Sequence, residues 1–243
     1  MDSSRNSISG TGSLTEGLGM RPVKVAAIAD VHSPRYLDEF NKALSKCAPP
    51  DFFLFAGDMV NRGASEEYLK VLEAIENHLG LNFPIISCLG NEDPTDIKKQ
   101  TRQLTGERIT FLNDSSITIK TSGSRITIVG LSPSTNNLLE ARSTSFPEIQ
   151  STFEVKTTRL THLLQDATSS SDHTILLMHF SPLLENNPRE FSSWLSNAVT
   201  NHPPLYIIHG HVHDATRVKV KIGATTIMNV ALPVTGSITK LVL

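Results

Sequence analysis

From Val23 onward, short runs of consecutive apolar residues recur along the chain, each ending at a polar side chain. They read VKVAAIAD (23–30), DFFLFAGD (51–58), FPIISCLG (83–90), HTILLMHF (173–180) and PPLYIIHG (203–210). Each is too short for a helix and rich in β-branched or aromatic residues, the mark of a strand buried on both faces. Helical periodicity fills the gaps between the first three. Tyr36, Phe40 and Leu44 form one stripe, and Tyr68, Leu72, Ile75 and Leu79 a second. Ser65 is placed to cap the second helix, Glu66 and Glu67 suit its first turn, and Gly80 is a stop. Apolar strands alternating with amphipathic helices predict βαβ units and an α/β fold whose sheet is covered on both faces.

The second half reads differently. SSITIK (115–120) and RITIVG (125–130) alternate apolar and polar residues around TSGS, which predicts a hairpin. A longer helix is expected over 147–167, with Leu160, Leu163, Leu164 and Ala167 inward. RVKVKI and ATTIMNV flank Gly223 as a second hairpin, with Arg217, Lys219 and Lys221 on its wet face. SITKLVL closes the chain. Residues 1–19 are rich in Ser, Gly and Thr without periodicity and read as a disordered leader. Residues 20–243 are expected to form one domain.

Composition narrows the function classes. A chain of 243 residues can bury about 70–75% of its unfolded surface in a single core. Lys plus Arg is 22 and Asp plus Glu 24, a net charge of −2. That balance argues against a protein that coats nucleic acid or an anionic membrane, and leaves a small phosphate-bearing ligand open. No run of about 18 apolar residues occurs, so no transmembrane helix is expected. The first residues lack the apolar core of a signal peptide. Two cysteines, Cys47 and Cys88, make no disulfide framework. They are expected to be buried packing in a cytoplasmic protein.

The candidate chemistry gathers where the buried strands end. Asp30 and His32 follow the first run and Asp58 ends the second. Asn91, Glu92 and Asp93 follow the third. His179 closes a later run, and His209, His211 and His213 the last. Ligands of open α/β sheets bind beyond the carboxyl ends of strands. In extended chain, residues two apart point the same way, so Asp30 with His32, and His211 with His213, are each expected to enter one cavity. Imidazole, carboxylate and amide donors without thiolates suit Mn, Fe, Zn, Co or Ni. The number of donors exceeds one tetrahedral ion and suits two ions bridged by a carboxylate. His209 reads as structural or as orienting a neighbour, and His78, His162, His173 and His202 as surface residues.

In this order these residues resemble the calcineurin-like metallophosphoesterase superfamily. Its motifs D-x-H, G-D, G-N-H-[DE], a lone His after a strand, and G-H-x-H are matched by Asp30-Val31-His32, Gly57-Asp58, Gly90-Asn91-Glu92-Asp93, Met178-His179 and Gly210-His211-Val212-His213. The match spans about residues 23–230. The resemblance implies a four-layer α-β-β-α sandwich of two mixed sheets with flanking helices. It implies a first metal on Asp30, His32 and His213, a second on Asn91, His179 and His211, and Asp58 bridging both. The ions would be divalent transition metals, manganese first, with iron, zinc, nickel or cobalt as alternatives. Hydrolysis of a small phosphate ester or nucleotide would run through a metal-bridging hydroxide, with Asp58, Asn91 and Glu92 in the catalytic group. Gly57-Asp58-Met59-Val60-Asn61-Arg62-Gly63 also resembles the G-D-x-V-D-R-G of the protein phosphatase branch, which makes Arg62, with Asn91, a candidate substrate contact.

Two departures stand out. Glu92 replaces the family's His. An ionised glutamate cannot donate a proton at pH 7 and repels a monoester dianion more than a diester monoanion, so a bias toward phosphodiesters is expected. Asp93 loses the His that it would orient. Second, Asn229-Val230-Ala231-Leu232-Pro233 stands where related chains carry N-P-G-S. The alternative readings are a phosphomonoesterase or protein phosphatase, or a weakly catalytic binding module such as the superfamily's retromer subunit. The polar stretch 132–145 is a candidate lid. Oligomeric state is left open.

Overall fold

The apolar runs form strands, and each strand's alternation divides its side chains between two layers of packing. In a computed structural model that describes residues 21–62, 64–80, 83–93, 106–121, 123–131, 146–184 and 189–243, β1 (Lys24–Ile28), β2 (Phe52–Ala56), β3 (Ile85–Cys88) and β4 (Ile109–Phe111) run parallel. The expected leader over 1–19 and lid over 132–145 lie outside the described residues. The chain's last strand, β11 (Thr239–Val242), returns to pair antiparallel with β1, giving the order β11-β1-β2-β3-β4. The second sheet holds the two expected hairpins at its edges. β5 (Ser115–Lys120) and β6 (Arg125–Gly130) form one, and β9 (Lys219–Ile222) and β10 (Thr225–Asn229) the other. β7 (His173–Leu177) and β8 (Tyr206–His209) lie between, in the order β5-β6-β7-β8-β10-β9.

Ala26, Ile28, Phe53 and Phe55 face Phe40 and Leu44 of α1 (Leu37–Leu44) and Tyr68 and Leu72 of α2 (Glu67–Leu79). Their neighbours Val25, Ala27, Phe52 and Leu54 face the second sheet, meeting Ile126, Ile128, Ile175 and Ile208. Val129, Leu176 and Ile207 then pack against Leu160 and Leu164 of α3 (Phe146–Ser170) and Leu195 and Val199 of α4 (Ser193–Asn201). Three apolar seams between four layers make the α-β-β-α sandwich, with both sheets mixed.

Local corrections are small. Glu66, not Ser65, takes the N-cap position of α2, while Gly80 ends it with φ +74°, a left-handed conformation that suits glycine. Cys88 is buried as expected, but Cys47 is only half-buried. β4, α4 and the one-turn helix α5 (Leu232–Thr235) carry no clear mark in the sequence. α5 begins within the segment that departs from N-P-G-S, at Leu232. There Asn229 donates from Nδ2 to the Val212 carbonyl at 2.8 Å and accepts the Ala231 N–H at 3.0 Å. The departing segment therefore still holds the loop that carries His211 and His213.

Candidate metal centre

The polar residues lie just beyond the C-terminal ends of parallel strands in both sheets, and the backbone laces those ends together. Asp30 N–H donates to the Gly57 carbonyl at 3.1 Å, His32 N–H to the Asp58 carbonyl at 3.0 Å, and Gly210 N–H to the His179 carbonyl at 3.0 Å. Asp30, His32, Asp58 and His211 have φ of +58°, +44°, +51° and +69°. Left-handed backbone at residues other than glycine costs about 1–3 kcal/mol each and clusters where function requires a fixed geometry. It also corrects the pairing argument: Asp30 and His32 converge through left-handed turns, not through extended backbone. His211 and His213 both reach the Asp30 carboxylate, through the His211 N–H at 2.9 Å and His213 Nε2 at 2.9 Å, but their rings meet different neighbours. His213 joins Asp30 and His32, whereas the His211 ring lies 5.0 Å from that of His179 and 4.6 Å from that of Phe180.

Donor atoms of Asp30, His32 and His213 lie within 4.8 Å of one another, as do those of Asp30, Asp58 and His179. Asp30 thus belongs to both groups, not only to the first. Asp58 Oδ2 stands between two imidazoles, 3.2 Å from His179 Nε2 and 3.9 Å from His32 Nε2. A bridging ligand would occupy such a place. His179 Nδ1 donates to the Ala56 carbonyl at 2.9 Å, which turns Nε2 toward the centre, where Asn91 Oδ1 lies at 3.0 Å. A nitrogen facing two oxygen acceptors requires a proton or a cation. With Nδ1 fixed by a carbonyl, this imidazole is oriented as metal-ligating histidines are. The donor set, buried carboxylates with imidazoles and an amide, fits two divalent transition ions.

The same contacts set the protonation of the metal-free centre. Burial opposes the charge on His179, but the hydrogen bond and charge of Asp58, with the charge of Asp30, push its pKa up to about 9. Asp30 is also opposed by burial, yet hydrogen bonds from His213 and His32 hold it well below the usual carboxylate range. Burial, then the charge of His179, lowers His211. His209 donates from Nδ1 to the Gly210 carbonyl at 2.9 Å, and burial lowers its pKa to about 4, so it is a neutral structural residue beneath the loop. His78 and His162 are exposed, and His173 and His202 half-buried.

Asp93 has a role that the sequence reading missed. Its Oδ2 accepts the N–H groups of Asp58 and Gly90, both at 2.8 Å, and its Oδ1 accepts the Tyr68 hydroxyl at 3.1 Å. Burial and the charge of Asp58 raise its pKa to about 6 despite those two N–H donors. It clamps the turn after β2 to the turn after β3, and the side chain of residue 92 takes no part in those bonds. A tyrosine on the apolar stripe of α2 was the available signal, because a buried hydroxyl needs a partner. The clamp leaves no room for side chains at its glycines. A Cβ on Gly57 would sit 2.6 Å from Gly90 N and 2.7 Å from His179 Nδ1, and one on Gly90 would collide with Asp58 Oδ1.

Glu92 and Arg62 meet at the rim. Glu92 N–H donates to Asp58 Oδ1 at 2.8 Å, and Glu92 Oε1 lies 3.2 Å from an Arg62 guanidinium nitrogen.

A family model described as calcineurin-like phosphoesterase matches residues 23–215. No curated protein matches the chain in sequence. Among solved structures, the chain is similar to the protein TT1561 of Thermus thermophilus, at 13% identity and a TM-score of 0.60, covering 91% of this chain and 99% of that one. A second solved chain has 14% identity and a TM-score of 0.53, covering 86% and 90%. An archaeal phosphodiesterase is similar at 15% identity with a TM-score of 0.43, covering 90% and 99%. At 13% and 14% identity the likeness to the first two concerns the fold.

Proposed function

The chain belongs to the calcineurin-like phosphoesterase family, and on that footing we propose that it is a metal-dependent hydrolase of small phosphate esters, with phosphodiesters preferred. The observation that carries the reading is the convergence of Asp30, His32, Asp58, His179 and His213 into two overlapping donor groups. Asp30, His32 and His213 would hold one divalent ion, Asn91, His179 and His211 a second, and Asp58 would bridge them. Manganese is the first choice, with iron, zinc, nickel or cobalt as alternatives. Bound there, the ions supply Lewis acidity toward phosphoryl oxygens and lower the pKa of water.

The chain's own residues do the rest. Asp30, buried and held ionised by two imidazoles, supplies fixed negative charge that compensates the ions. The Asn91 amide, whose Oδ1 lies 3.0 Å from His179 Nε2, would both ligate and contact a phosphoryl oxygen. Glu92 adds negative charge at the rim, and Arg62 offsets part of it. A monoanionic diester meets less repulsion there than a monoester dianion, which supports the diester preference. In hydrolysis the water oxygen bonds to phosphorus and gives up a proton, the ester P–O bond breaks, and the leaving alkoxide takes a proton from solvent. Glu92, as a carboxylate, is not that donor. Among the described residues no helix is long and apolar enough to cross a membrane. The free thiols Cys47 and Cys88 fit the reducing cytoplasm, where we place the protein.

The test is hydrolysis of bis(4-nitrophenyl) phosphate against 4-nitrophenyl phosphate with Mn²⁺, and with chelated protein as blank. Metal-dependent turnover that favours the diester, and a shift toward the monoester in Glu92→His, are expected. A monoester preference in the wild type would overturn the charge argument. Turnover that survives chelation would overturn the metal requirement.

A further inference from the structure

The ion pair at the rim joins an anchored partner to a loose one. Glu92 is anchored because its N–H is bound to Asp58 Oδ1 and the next residue, Asp93, is the buried clamp. The Arg62 side chain is 76% exposed, and its guanidinium meets the Glu92 carboxylate at 3.2 Å. A pair this exposed contributes little and exchanges readily. A phosphoryl group on the adjacent centre offers the same guanidinium a bidentate acceptor, which arginine favours over a single carboxylate oxygen.

We propose that Glu92 is an internal competitor for Arg62. Its carboxylate holds the guanidinium in the free protein, the phosphate of the substrate takes it over on binding, and Glu92 thereby sets the affinity for phosphate esters. The proposal rests on the phosphoesterase reading and adds a specificity-determining exchange of partners at the same site. It differs from simple repulsion in a measurable way. If Glu92 acts by occupying Arg62, removing its charge helps only while Arg62 is present. If Glu92 acts only by repelling anions, removing its charge helps as much or more once Arg62 is gone.

The experiment is calorimetric titration of inorganic phosphate into Mn²⁺-loaded wild type, E92Q, R62A and the E92Q/R62A double variant. E92Q is expected to bind phosphate about two- to fivefold more tightly than wild type, the factor that an exposed ion pair supports. R62A is expected to bind more weakly, and the double variant to match R62A. Equal Mn²⁺ content in the four proteins controls for the fold. A gain from E92Q that persists in the R62A background, or weaker binding by E92Q, would overturn the exchange, as would absence of phosphate binding in both wild type and E92Q. Failure of the wild type to take up Mn²⁺ would overturn the phosphoesterase reading and this proposal with it.

Discussion

His179 shows how one side chain is made ready for a cation. Its Nδ1 is committed to the Ala56 carbonyl, so whatever binds at Nε2 meets Asp58 and Asn91. In the metal-free protein that occupant is a proton, held up to a pKa of about 9. The unfolded histidine releases its proton near pH ~6.5. The group therefore stabilises the metal-free fold fully below about pH 6.5, and the contribution is lost as pH rises through about 9. A cation must displace the proton, so its binding runs the other way. Mn²⁺ affinity of chelated and reloaded protein is expected to rise between about pH 6.5 and 9, by up to about tenfold per unit for one competing proton. Titration across that range checks it, and His179→Asn should flatten the slope. At this scale the sequence was informative about residue types and their order. It was uninformative about backbone conformation: nothing in D-x-H announces φ of +58° and +44°, because positive φ at a non-glycine residue is imposed by the surrounding turns.

At the scale of elements, the turn after β2 and the turn after β3 act as one unit through Asp93. Their glycines are part of the centre, because a side chain at either would enter space that Asp58 or His179 occupies. Gly90→Ala is expected to displace the Asp58 carboxylate and reduce Mn²⁺ affinity by about tenfold or more, as losses around metal ligands typically do, which metal titration of the folded variant would register. Retained affinity would mean that the turn yields freely. The long strands and helices were legible because their periodicity and length agree. β4 was not, because three residues carry no period. The Leu195, Ala198 and Val199 spacing of α4 is a helical signal, but too short a one to stand out from the polar residues around it. The clamp was not legible from motif order, since it joins Tyr68 of α2 to the turns after β2 and β3, across up to 35 positions.

For the whole molecule, the inter-sheet seam fixes where the strand ends of the two sheets meet, and so the distance between donors from each. Leu54 is fully buried there. Leu54→Ala is expected to cost about 2–5 kcal/mol through lost burial and the cavity left behind, readable as a lower urea midpoint. A cost below about 1 kcal/mol would mean that the seam collapses around the gap. The four-layer architecture was read from resemblance; the apolar runs alone implied only a covered α/β sheet. The central claim is that this architecture assembles a site for two ions around Asp58. The most direct test is the manganese content of protein stripped with chelator, reloaded and desalted, for wild type and Asp58→Asn. The account predicts two ions per wild-type chain and at most one in the variant. One ion or none in the wild type, or two held as tightly by Asp58→Asn, would contradict it.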